Sequence, residues 1–261
     1  SLSMSEVNKY ITWIETVPTL GQINGVKMTV TTKEYNDLFR YCDDIDMFAW
    51  DRPINDTENH KGTCDHRTDY CDKTCYNVKL YRMYKNMSVR DDRCETVWQK
   101  MTPEAIRDSY NSWLSKRKKQ TERVRACTRG EGIKDISDIY RIKEMALEAP
   151  DSIIWLPTRA WRNTLLKSLI EIELMPLPNV AVNASLDPSN TKDEWQSLID
   201  SNWNIMFFGD DDMIEDPVYK QRMFLCPKTH KKLSGHCSVC KAGCFSQKTI
   251  NRTQIVHLSE H

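Results

Sequence analysis

The sequence predicts an α/β fold, either a partial (βα) barrel or an open parallel sheet, with a cysteine-rich metal-binding loop and a cysteine-rich C-terminal extension. Two observations predict it. Apolar runs of roughly four to six residues alternate with amphipathic stretches of roughly ten to fifteen, the pattern of βα units around a parallel sheet. Seven of the ten cysteines fall in two tight groups, Cys64, Cys71 and Cys75, then Cys226, Cys237, Cys240 and Cys244.

Residues 1–45 form an N-terminal extension, with a helix predicted over Glu6 to Thr16 and a β-like run over Val26 to Thr32; Ser1-Leu2-Ser3 ahead of Met4 reads as an expression remnant. Residues 46–215 form the βα-repeat domain. Asp46 to Trp50 is its first strand and leads into the first cysteine loop. From Cys75 to about Met87, Tyr76, Leu80, Tyr81 and Tyr84 recur at helical spacing. Thr102 is a natural N-cap, with Pro103 in the first turn of a helix running to about Lys119. Arg123 to Cys127 is a strand ending at Thr128-Arg-Gly-Glu-Gly132, and Asp135 to Ala149 an amphipathic helix stopped by Pro150. Ser152 to Leu156 is a buried strand, Trp161 to Leu174 a helix, and Asn179 to Ala184 a strand. Lys192 to Ile199 is a helix, and Asn204 to Phe208 a strand closed by Gly209-Asp210-Asp211-Asp212. A sixth strand is expected beyond residue 226. Residues 216–261 form the cysteine-rich extension.

In such sheets chemistry gathers at the carboxyl ends of the strands. Cys64 to Cys75, Gly130-Glu131-Gly132, Thr158-Arg159 and Asp210 to Asp212 would all lie there. Glu131 and Asp210 are therefore candidate catalytic carboxylates, and Gly130, Glu131 and Arg159 candidate cofactor-binding residues.

Thirty-seven basic and 37 acidic residues cancel in the 261-residue chain, so no global field draws it to nucleic acid or an anionic membrane. No apolar stretch reaches the roughly 18 residues of a membrane span. No secretory leader precedes the cysteines, so a cytoplasmic, reducing setting is expected, in which disulfides are disfavoured and metal ligation is the better use of clustered thiols. Lys116-Arg-Lys-Lys119, continued by Arg123 and Arg125, is a local basic patch that could meet nucleic acid or a nucleotide, although a solvated helix C-terminus would look the same. No Walker loop, dinucleotide glycine motif, serine-hydrolase elbow or His-Glu-x2-His zinc motif is present.

The segment from Thr63 to Lys79, with its Cys-x3-Cys-Tyr-x2-Lys helix start at Cys71, Cys75, Tyr76 and Lys79, resembles the phage family known as gene product 88. Gly130-Glu131, Thr158-Arg159 and the cysteines from Cys226 to Cys244 stand at that family's later landmarks, although Asp65 replaces the usual proline after the first cysteine. The resemblance implies phage origin and names no reaction. A broader resemblance is to radical S-adenosylmethionine enzymes. In these a three-cysteine loop after the first strand of a partial barrel binds a [4Fe-4S] cluster with one open iron, and a Gly-Gly-Glu motif after the second strand holds S-adenosylmethionine. Arg129-Gly130-Glu131 stands at that motif. The usual loop spacing is C-x3-C-x2-C, whereas Val78 occupies the third position here and Cys64 would have to serve instead.

Three thiolates leave one position open on a cubane or a tetrahedral zinc, with Cys94, Cys127 or His66 as a fourth ligand. Cys237-x2-Cys240-x3-Cys244 is a close run of the iron–sulfur kind, completed by Cys226, with His230 and His236 as spare ligands. The expectation is one or two [4Fe-4S] clusters, with S-adenosylmethionine as a candidate second cofactor. The alternative is a zinc-stapled module that binds nucleic acid or a host protein.

Overall fold

A computed structural model describes residues 22–23, 26–27, 38–100, 102–115, 123–210, 223–230, 237–238, 240, 244–245 and 255–259. The expected helix over Glu6 to Thr16, the basic run Lys116 to Lys119, Asp211, Asp212 and His236 lie outside them. Of the β-like run from Val26 to Thr32, only Val26 and Lys27 are described. They form β2 (Val26–Lys27), which pairs antiparallel with β1 (Gln22–Ile23).

The main body is a mixed α/β assembly around one eight-stranded sheet. Its strands are β3 (Phe39–Cys42), β4 (Met47–Trp50), β5 (Arg123–Ala126), β6 (Ile153–Thr158), β7 (Val180–Leu186), β8 (Asn204–Phe208), β9 (Met223–Leu225) and β10 (Ile255–Leu258). Their order is β3-β4-β5-β6-β7-β8-β10-β9, and every pairing except β3 with β4 is parallel. Each of the five strands expected between residues 46 and 208 is present. β4 is buried at all four positions and β7 at six of seven, which is why such strands read as continuous apolar runs.

The helices are α1 (Asp69–Thr74), α2 (Tyr76–Met83), α3 (Lys85–Lys100), α4 (Pro103–Ser115), α5 (Ile136–Glu148), α6 (Thr164–Glu173), α7 (Lys192–Asp200) and α8 (Pro227–His230). Their starts follow capping chemistry. Thr102 Oγ1 accepts the Ala105 amide at the head of α4. Asp135 with Asp138 and Thr191 with Glu194 form capping boxes on α5 and α7. The Trp161 to Leu174 stretch departs from a single helix. Ala160–Arg162 is a 3-10 turn, and Asn163 is extended so that its side chain caps the Leu166 amide and restarts the chain as α6. The Cys75 to Met87 stretch is likewise split, because Tyr84 leaves helical geometry between α2 and α3.

The sheet has two distinct faces. Phe48, Trp50, Val124, Ile154, Leu156, Val182 and Phe207 meet Trp98, Ile106, Ile139, Leu169 and Trp195 from the helices in one core, with Trp50 and Trp98 stacked at 5.3 Å. The opposite face carries a smaller cluster, Ile45, Met47, Trp155, Met206 and Phe245, against which Cys42, Cys237 and Cys244 pack. Cys237, Cys244 and Phe245 therefore lie on this face of the sheet, and β9 and β10 extend the sheet itself.

The two edges of the sheet approach each other. Lys228, just after β9, donates at 2.7 Å to both the carbonyl and the carboxylate of Asp44, in the turn between β3 and β4. Seven strand spacings would hold those edges roughly 34 Å apart in a flat sheet, so the sheet is strongly curved.

Candidate functional site

The chain leaving β4 builds the first site. Asp51 and Arg52 are its first two residues past the strand, and both are buried. Asp51 accepts hydrogen bonds from Arg40 Nε at 2.7 Å, Thr128 Oγ1 at 2.6 Å and the Arg129 amide at 2.9 Å. Burial alone would raise its carboxyl, but the charges of Arg40 and Arg129 outweigh that and hold it at about 2. Arg129 also forks onto Asp91 through Nε at 2.8 Å and Nη2 at 2.7 Å. Arg52 forks onto Glu95 at 2.8 Å through both Nε and Nη2, and its Nη1 reaches Asp138 at 2.9 Å and the carbonyls of Glu131 and Gly132. These two buried networks fix the carboxyl ends of β4 and β5 to α3 and α5.

On that base sits the cysteine loop. Thr63 ties back to the Pro53 carbonyl through both its amide and its hydroxyl, at 2.8 Å each, and its Oγ1 accepts the Glu131 amide at 2.9 Å. Thr68 caps α1 by accepting the Cys71 amide at 3.0 Å, and its hydroxyl donates to Asp187 just past β7. Arg162 holds the carbonyls of His66 and Arg67 at 2.8 Å. The loop is thus anchored to the carboxyl ends of four strands, β4 to β7.

Cys64, Cys71, Cys75, Glu131 and Arg159 lie near one another there. Cys64 is in electrostatic contact with Glu131, Cys71 and Cys75; burial pushes its thiol up to about 12, and those three neighbours add to the rise. Burial raises Cys71 too, while the adjacent Arg159 guanidinium opposes the rise. Arg159 Nη1 pairs with Asp187 at 2.8 Å. Glu131 is committed within the fold: its carboxylate accepts Thr158 Oγ1 at 2.7 Å, the Arg159 amide at 3.0 Å and the Ile133 amide at 3.2 Å. Burial raises its carboxyl despite these donors. Gly130 has φ +80°, and a Cβ there would stand 2.3 Å from the Arg52 carbonyl oxygen, so only glycine fits. Asp210 is exposed beyond β8, after Gly209, whose amide donates to the Leu258 carbonyl. Asp187 and Thr68 complete the site and carry no motif of their own.

Of the further ligands considered for this loop, Cys94 and Cys127 are buried. Cys94 contacts Arg90 and the Leu38 carbonyl. His66 Nε2 meets the Lys134 carbonyl at 3.2 Å.

The second cysteine group lies on the sheet face away from the helices. Arg123 Nη1 donates to the carbonyls of Cys237 at 2.6 Å and Cys240 at 2.9 Å, and Asn183 Nδ2 to that of Cys244 at 2.9 Å. Arg123 lies over the Phe245 ring at 4.0 Å and Arg125 over Trp155 at 4.3 Å. These two arginines of the basic stretch therefore face the sheet, because alternation along β5 puts them opposite Val124. Cys237 is in electrostatic contact with Cys226 and Cys240, and Cys244 with all three others. Burial pushes Cys237 to about 11 against the opposing charge of Arg125, and burial with the neighbouring thiols pushes Cys244 to about 12. His230 Nε2 is buried without a hydrogen-bond partner among the described residues, and the His230 amide donates to the Cys226 carbonyl.

No disulfide joins any of the ten cysteines. Among the described residues, no three His, Cys, Asp or Glu side chains stand in an arrangement that would itself hold a metal. Each group gathers soft sulfur donors, while the His230 ring lies 4.7 Å from that of His257. Among the described residues no helix is long and apolar enough to cross a membrane.

Fold and site together define a mixed α/β protein with one cysteine group at the carboxyl ends of a mostly parallel sheet and another packed on the sheet face carrying Trp155 and Met206. A family model described as Gene product 88 matches residues 27–237, and the chain belongs to that family. Neither the curated proteins nor the solved structures give a match.

Proposed function

We propose that the chain is a phage-encoded iron–sulfur metalloprotein on a partial (βα) barrel of the radical S-adenosylmethionine kind, with no reaction assigned. Family membership supports the phage origin. The consecutive order β4 to β8, the helices gathered on one face and the approach of the two sheet edges support the barrel. The observation that carries the metal reading is the electrostatic contact of Cys244 with Cys226, Cys237 and Cys240, a run the sequence already spaces closely.

In this reading Cys64, Cys71 and Cys75 would hold one cluster and the C-terminal four thiols another. A cluster bound by three thiolates would supply one open iron for electron transfer or ligand activation. The chain's own residues do the positioning. Thr68 and Arg162 fix the loop, and Arg159 offers a cation beside Cys71, offset by Asp187. Arg123 and Asn183 set the carbonyls of the second group. S-adenosylmethionine would need Gly130, Glu131 and Arg159 to face a ligand. The three internal hydrogen bonds of the Glu131 carboxylate weaken that part, so the thiol groups carry the proposal.

A second reading is favoured at the C-terminal group alone. Its clamped carbonyls and packing against Trp155 suit a structural zinc with closed four-ligand coordination. Anaerobic purification with metal analysis and a visible spectrum separates the two. About four to eight irons per chain with broad visible absorbance supports iron–sulfur, whereas a colourless protein with one or two zincs overturns it. Cys71→Ser and Cys240→Ser should each remove one centre and leave the other. Metal content unchanged in both would refute thiolate ligation altogether.

A further inference from the structure

We propose that the outer faces of α2 and α3 form a binding surface for single-stranded nucleic acid, held through backbone charge and base stacking. This goes beyond the metal reading and does not depend on it. The chain as a whole is neutral, yet residues 73–93 hold six cations, Lys73, Lys79, Arg82, Lys85, Arg90 and Arg93, against two acids, Asp91 and Asp92. Both acids are buried and engaged inward. Asp91 takes the fork of Arg129 and the hydroxyl of Tyr81, and Asp92 accepts from Thr57 and Asn59. Lys73, Lys79, Arg82 and Lys85 are all exposed. Arg90 turns inward to Asp51 at 3.8 Å, and Lys73 shares its short helix with the exposed Asp72, so the positive charge presented to solvent centres on Lys79, Arg82 and Lys85.

Aromatic rings are interleaved with those cations. Tyr76 is 59% exposed and Tyr84 54% exposed, unusual for rings on a protein with a well-filled core. Tyr76, Lys79 and Met83 follow one another at helical spacing on one side of α2, and Lys85 and Val89 do so on α3. Exposed rings spaced among the exposed cations Lys79, Arg82 and Lys85 suit a flexible polyanion whose bases can stack, which single strands offer and duplexes do not. An anionic membrane would take the charge but calls for a larger apolar face than Met83 and Val89 provide. Stacking and backbone charge read neither sequence nor sugar, so DNA and RNA strands should bind alike.

The test is fluorescence anisotropy with a labelled oligothymidylate, its duplex counterpart and phosphatidylglycerol vesicles, using the whole chain. Four phosphate contacts imply a salt slope near −2.8, a loss of about 50-fold between roughly 50 and 200 mM salt. Lys79→Gln with Arg82→Gln should flatten that slope by about 1.4. Tyr76→Ala and Tyr84→Ala should each weaken oligothymidylate at least about fivefold, whereas Phe at either position should retain binding. The proposal is overturned by absence of oligothymidylate binding at about 50 mM salt, by equal affinity for the duplex, by indifference to the tyrosine substitutions, or by capture on vesicles alone.

Discussion

Asp51 offers a direct test of the buried charge that supports the cysteine loop. Asp51→Asn keeps the shape of the side chain but removes its charge from between Arg40 and Arg129. It also turns an amide donor toward guanidinium or hydroxyl donors, because three hydrogen bonds converge on the carboxylate. The folded carboxyl sits at about 2 against an ordinary 3.8, and that gap corresponds to about 2 kcal/mol of stability at neutral pH. The sign follows from the depression. The folded state releases the proton more readily than the unfolded state, so the contribution is complete above the unfolded value and disappears as pH falls through the folded one. At pH 3 roughly half should remain. Urea unfolding followed by tryptophan fluorescence should therefore show the substituted protein about 2 kcal/mol less stable at pH 7, with the gap narrowing to about half by pH 3. A gap equal at both pH values, or absent at pH 7, would refute this account of Asp51.

Other expectations rest on single contacts. Arg52→Met strands the buried carboxylates of Glu95 and Asp138 and should cost about 3–5 kcal/mol in the same unfolding assay; a loss below about 1 kcal/mol would mean the pair is dispensable. Gly130→Ala should destabilise by more than about 2 kcal/mol, since it combines a positive φ with a backbone clash. Gly132→Ala should cost less, because its new Cβ would press most closely on the flexible Leu156 Cδ1. Asn183→Ala removes the donor to the Cys244 carbonyl. It should lower stability by about 1–3 kcal/mol and speed Cys244 labelling by a thiol reagent, with Cys64 labelling as the unchanged control.

Much of the sheet was legible because β4 to β8 are apolar enough to stand out between amphipathic helices. β3 was not: Phe39-Arg-Tyr-Cys42 is half polar, and it gains strand geometry by pairing antiparallel with β4 through a four-residue turn. At the candidate site, cysteine spacing marked the loop and strand ends marked Glu131 and Arg159. Asp187 and Thr68 were invisible, since their hydrogen bond joins positions 119 apart and neither belongs to a motif. The same holds for Asp51 and Asp91, ordinary charges until the fold brings them to Arg129. Arg123 and Arg125 read as part of a surface patch in a linear scan. The two-residue period of β5 instead aims them at the sheet face and the carbonyls of Cys237 and Cys240.

The placement of β10 between β8 and β9 constrains the order in which the chain can be assembled on the ribosome. β9 is complete at Leu225, yet its partner begins at Ile255, about 30 residues later. At roughly 5–20 residues per second the nascent chain waits between about 1.5 and 6 s with β8 as an open edge and β9 unattached. An open parallel edge invites pairing with other chains. The segment made during that interval carries Cys237, Cys240 and Cys244. These cysteines would therefore be synthesised before β10 can close the sheet they rest on, and protection of that transient edge becomes a requirement of biosynthesis.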